Sequence, residues 1–143
     1  PPAANTPAMN DRLRGFRSTL EKSFSAVRIV SLGETASASE VNPAVVSAFL
    51  ASHPQLKGLF APDETATMAA LRALQERKMT GRIKLAGIAL KGNPIGIAKA
   101  GQPDVLIVPK PYEMGYASVQ AIIDFHQFRR VPSRLDIAVE TRP

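Results

Sequence analysis

Apolar positions along the chain switch repeatedly between helical and extended spacing. Leu13, Phe16, Leu20 and Phe24 recur at three- and four-residue intervals, which predicts a helix with one apolar stripe, capped by Asn10. The short β-branched run Val27 to Leu32, closed by Gly33, predicts a strand. Asn42-Pro43 then supplies a cap and a first-turn proline for a helix burying Val46, Phe49 and Leu50, ended by His53-Pro54. Leu56 to Ala61 predicts a strand, and Asp63 caps a helix that turns Ala70, Leu71 and Leu74 inward. Ile83 to Leu90 is a nearly continuous apolar run, as for a strand covered on both faces. Asn93-Pro94 opens a short helix stopped by Gly101, and Val105 to Val108 predicts the next strand. Pro111 opens the last long helix, with Val119, Ile122 and Ile123 expected inward, and Arg134 to Glu140 is a candidate edge strand.

Strands alternating with helices of this length imply βαβ units. The expected architecture is a three-layer α/β/α fold around a mainly parallel sheet. Ligands of such sheets bind outside the carboxyl ends of the strands. That rule selects Gly33-Glu34, Pro62-Asp63-Glu64, Ala89-Leu90-Lys91 and Pro109-Lys110 as the places to look for a site. The length of 143 residues suits one domain, with residues 1–9 as a Pro- and Ala-rich lead-in and 10–143 as the folded unit.

Composition narrows the chemistry mostly by exclusion. Hydrophobic residues make up 45% and charged residues 21%, ordinary values for a globular domain. No apolar run approaches the ~18 residues of a membrane span, and a secretory leader is expected to lie outside this segment. With no cysteine, thiol catalysis and thiolate metal sites are excluded. His53 and His126 are the only histidines and lack zinc-site spacing. No Walker-type or dinucleotide-type glycine pattern follows any strand. Asp63-Glu64 is the one acidic pair at a strand end, equally readable as an N-cap with a first-turn acid. The net charge of +6 is spread, and Arg129-Arg130 after Phe125 to Phe128 fit a helix C-terminus better than a nucleic-acid stripe. Neither a catalytic constellation nor a cofactor loop is present.

Four stretches together are more specific than any one: Arg12-Leu13-Arg14-Gly15-Phe16; His53 to Ala61 (HPQLKGLFA) with Asp63-Glu64-Thr65; Ile83 to Ile88 (IKLAGI); and Pro111 to Tyr116 (PYEMGY). In order and spacing the chain resembles the carboxyl-terminal lobe of the ribose- and galactose-type periplasmic sugar-binding proteins of ABC transporters. The resemblance implies one Rossmann-like lobe of a two-lobed, non-catalytic, periplasmic receptor. Its partners would be a sugar or sugar acid, the amino-terminal lobe and a membrane permease, with no cofactor, metal or nucleic acid. Carried over by position, Arg12 is the donor to ligand hydroxyls, Asp63 an acceptor, and Glu64 and Lys110 further ligand-facing residues. Ala89 stands where the family commonly has Asp and Pro109 where it has Gln, so Lys110 would turn preference toward an acidic ligand. The effector domain of a LacI-type regulator and a membrane sensor share the fold and are the alternatives.

Overall fold

The computed structural model describes residues 6–32, 41–88, 103–127, 129–132, 137 and 139–142. Helix α1 (Pro7–Ser23) starts three residues before the expected Asn10 cap. Thr6 caps it instead, accepting from the Met9 amide, with Pro7 in the first turn. Helix α2 (Pro43–Ser52) begins as expected, the Asn42 side chain accepting from the amides of Ala44 and Val45. It ends at His53, whose Nδ1 lies 2.9 Å from the Phe49 carbonyl and whose ring packs on Phe49. Strand β1 (Gly58–Ala61) leads into α3 (Glu64–Glu76), and β2 (Lys84–Ile88) follows. Then come β3 (Val105–Val108), α4 (Pro111–His126) and a short β4 (Glu140–Arg142).

The strands form one sheet in the order β1-β2-β3-β4, parallel except for β4. Residues of β1 alternate between its faces. Leu59 and Ala61 join the core made with Val46 and Leu50 of α2, Ala70, Leu71 and Leu74 of α3, and Leu85 of β2. Phe60 turns the other way and stacks on Phe16 of α1, ring centroids 4.5 Å apart. Helices therefore lie on both faces, and the three-layer expectation holds.

Three expectations are revised. Residues 27–32 form no strand; β1 borders the sheet among the described residues, and β-propensity without a neighbouring ladder does not make one. The edge strand is Glu140–Arg142, at and beyond the end of the Arg134 to Glu140 run. Val119, Ile122 and Ile123 of α4 do not point inward but are exposed. Its half-buried side is instead Ala117, Gln120, Ala121 and Asp124. Asp124 is tied to Gln120 and Arg129 on that same side. The short helix at Asn93-Pro94, the Gly33-Glu34 turn and the Ala89-Leu90-Lys91 loop lie outside the described residues.

Thr67, fully buried, joins α3 to the end of β2. Its hydroxyl accepts from the Ile88 amide at 3.0 Å and lies within hydrogen-bond distance of the Ile88 and Asp63 carbonyls. The two elements approach so closely that a Cβ on Gly87 would sit 2.4 Å from Thr67 Cγ2. At the opposite end of the sheet, Asp104 accepts from Lys84 Nζ at 2.7 Å and from the Leu85 amide at 2.9 Å. The Lys84 hydrogen bond, then the Leu85 amide, hold its carboxyl below the ordinary 3.8.

Gly87→Ala is expected to cost about 1–3 kcal/mol through overpacking, read as a lower urea midpoint with an unchanged slope. A depressed carboxylate contributes stability above its ordinary pKa and loses it as pH falls through the lower folded value. Asp104→Asn should therefore narrow the difference between denaturation midpoints measured at pH 7 and pH 3.

Candidate ligand-binding rim

Parallel pairing brings three strand ends level. Ala61 pairs with Gly87, and Ile88 with Ile107, so β1, β2 and β3 finish along one rim. Whatever follows each strand emerges there. After β1 come Pro62, Asp63 and Glu64; after β3 come Pro109 and Lys110.

Asp63 is set by its role as N-cap of α3. Its backbone is extended, and Oδ1 accepts from the Ala66 amide at 2.8 Å. A carboxylate has room for more hydrogen bonds than that one, so capping and ligand contact are compatible. Glu64 follows in the first turn of α3, where the helix dipole favours negative charge. Both side chains are half-buried.

Arg12 reaches the same rim from α1. Its Nη1 donates to the Pro62 carbonyl at 3.0 Å, across 50 residues of sequence. The bond uses one guanidinium donor of five and holds the group beside Asp63. Lys110, half-buried, occupies the cap position of α4 without a side-chain capping bond. Two strand spacings separate the ends of β1 and β3, so Lys110 enters the rim on the order of 10 Å from Asp63. The four residues singled out from the sequence thus share one rim, Arg12 and Asp63 as neighbours and Lys110 across β2.

This arrangement offers two cationic donors and an acceptor carboxylate on one rim. It suits a small ligand whose groups both donate and accept. Among the described residues no cluster of His, Asp or Glu is placed to hold a metal ion. No described helix is long and apolar enough to cross a membrane. Asp104 sits at the other end of the sheet.

Sequence reasoning missed two parts of the rim. One is the Pro62 carbonyl that anchors Arg12, invisible because any residue supplies a carbonyl. The other is Thr67, which fixes where β2 ends. Its signal was a hydroxyl four residues after the cap, on the Ala-rich inward side of α3.

Comparisons with known proteins bear on the fold. Residues 2–128 match the family model described as a periplasmic binding protein domain. A carbohydrate transporter solute-binding protein from Agrobacterium radiobacter, in complex with D-arabinose, is similar at 19% identity and a TM-score of 0.75. That match covers 97% of this chain and 48% of the other. A solute-binding protein from Agrobacterium vitis, bound with alpha-D-tagatopyranose, gives 19% identity and 0.74, covering 94% and 45%. The periplasmic component of a sugar transport system from Hahella chejuensis gives 25% and 0.68, covering 92% and 48%. The chain spans about half the length of these structures or less. No curated protein matches it.

Because Asn caps as well as Asp, Asp63→Asn should leave stability within a few tenths of a kcal/mol, while Asp63→Ala should cost about 1 kcal/mol. Thermal melts of the two variants, compared with the parent chain, check this.

Proposed function

The chain belongs to the periplasmic binding protein domain family, and we propose that it is the carboxyl-terminal, ligand-facing lobe of a non-catalytic receptor for a sugar or related small polar solute. The observation that carries the reading is Arg12 held on the Pro62 carbonyl beside Asp63, at the carboxyl ends of parallel strands. Sugar hydroxyls donate and accept at once, and Arg with Asp meets both needs with charge-assisted bonds. The sugars bound in two similar structures support the ligand class.

One rim leaves a ligand open to water on its far side. A second lobe, the other half of the length seen in the relatives, would close over it. Such closure is the device by which a receptor presents its ligand to the membrane permease of an ABC transporter in the periplasm. Lys110 adds a second cation to the rim, and favours a ligand bearing a carboxylate, such as a sugar acid.

Calorimetry on the receptor containing both lobes tests the reading. Removing a charged-group hydrogen bond is worth about 1.5–3 kcal/mol, so Arg12→Ala should weaken binding by about 10- to 150-fold. Lys110→Met should reduce affinity for sugar acids more than for neutral sugars. Absence of binding by any sugar or sugar acid, or unchanged affinity in Arg12→Ala, overturns the assignment.

A further inference from the structure

Arg12 and Phe16 stand four residues apart on α1, one turn along the same side of the helix. Their contacts on the sheet also come as a pair. Arg12 Nη1 donates to the Pro62 carbonyl at 3.0 Å, and the Phe16 ring stacks on Phe60, centroids 4.5 Å apart and planes 11° from parallel. The two spacings match. Four residues of helix advance about 6 Å, and two residues of extended chain about 6.6 Å. As α1 advances from Arg12 to Phe16, its contacts step back from Pro62 to Phe60, so the helix runs antiparallel to β1.

The two contacts differ in what they can fix. The bond to Pro62 comes from a long, exposed side chain with many rotamers, which must itself be placed before it can hold a helix. Apolar contact leaves the register open as well, because burial is non-directional. The half-buried stripe of α1 repeats Met9, Leu13 and Leu20 at helical spacing around Phe16. Slid by one turn, α1 would set Leu20 over Phe60 and carry the Arg12 backbone about 6 Å beyond the rim. Phe16 is the only aromatic residue of α1, and Phe60 the only one of β1. Stacked rings attract beyond the area they bury, and in a defined geometry, so this pair distinguishes one register from its neighbours.

We propose that the Phe16–Phe60 stack is the register pin of α1. Phe16 and Phe60 are then positioning residues, which place the Arg12 guanidinium at the strand ends from one turn below. Their role in binding rests on Arg12 being the ligand donor proposed above; the placement of Arg12 does not.

Phe16→Leu is the informative variant, since it keeps apolarity and helix propensity and makes position 16 one more leucine of the stripe. The first readout is nuclear magnetic resonance of the receptor containing both lobes. The Arg12 guanidinium protons, identified by their loss in Arg12→Lys, should shift toward the free-arginine position in Phe16→Leu and in Phe60→Leu. They should stay in place in Phe16→Tyr, which keeps the ring. The second readout is calorimetry with D-arabinose and D-galacturonate, on variants shown by circular dichroism to be folded. Phe16→Leu should weaken binding by at most the loss expected of Arg12→Ala, about 10- to 150-fold. The double variant Arg12→Ala/Phe16→Leu should bind no more weakly than Arg12→Ala alone.

Unmoved Arg12 resonances in Phe16→Leu overturn the pin, whatever the sugar affinities. So does unchanged affinity in Phe16→Leu where Arg12→Ala weakens binding. Losses that multiply in the double variant also overturn it, because they would give Phe16 a ligand contact of its own. Unchanged affinity in Arg12→Ala, beside resonances that still depend on the ring, overturns the receptor reading and leaves the pin standing.

Discussion

The close approach of α3 to β2 is the constraint on which the rim depends. Thr67 lies so near Gly87 that no side chain fits between them. Its hydroxyl meets the Ile88 amide in the buried space where β2 ends. An orphaned amide there would cost about 1–3 kcal/mol, so the hydroxyl and the missing Cβ act as a pair. With α3 fixed against β2, its N-terminus, and hence Asp63, is fixed at the strand ends. Arg12 is then located through the Pro62 carbonyl. The candidate site inherits its geometry from a contact one helical turn below it.

The two ends of the sheet are built for different tasks. Around Asp104, the carboxylate accepts from the Lys84 ammonium and the Leu85 amide and ties together the amino ends of β2 and β3. Along the carboxyl ends, Asp63 gives one oxygen to its cap, Arg12 gives one donor to a carbonyl, and Lys110 makes no capping bond. Charged groups with hydrogen-bonding capacity left over suit ligand contact; a carboxylate paired with both a cation and a backbone amide suits stability. The same sheet holds both because parallel strands put all their carboxyl ends on one side.

How much of this could be read from the sequence differs by element. Caps and prolines located α2, α3 and α4, since Asn42-Pro43, Asp63 and Pro111 act locally. The apolar runs located β1, β2 and β3, and the strand-end rule located Pro62, Asp63 and Glu64 beside Arg12. Local signals did not decide which elements would pair. Residues 27–32 carry β-branched side chains, yet a ladder needs a partner strand, which is a tertiary fact. Nor could periodicity tell which side of α4 faces the protein. The stripe of Tyr112, Tyr116, Val119 and Ile123 reads as a core face by every local criterion. The observed side, with Ala117 and Ala121 half-buried and Asp124 bridged to Arg129, carries no apolar periodicity to announce it. Thr67 was missed for the same reason, since its partner Ile88 is 21 residues away.

Hydrogen exchange on the two-lobed receptor, with and without its sugar, tests the central claim most directly. The account expects ligand to slow exchange at the amides of Asp63 to Thr67 and at Lys110, and to leave Lys84, Leu85 and Asp104 unchanged. Protection concentrated around Asp104, with none along the carboxyl ends of the strands, would contradict it.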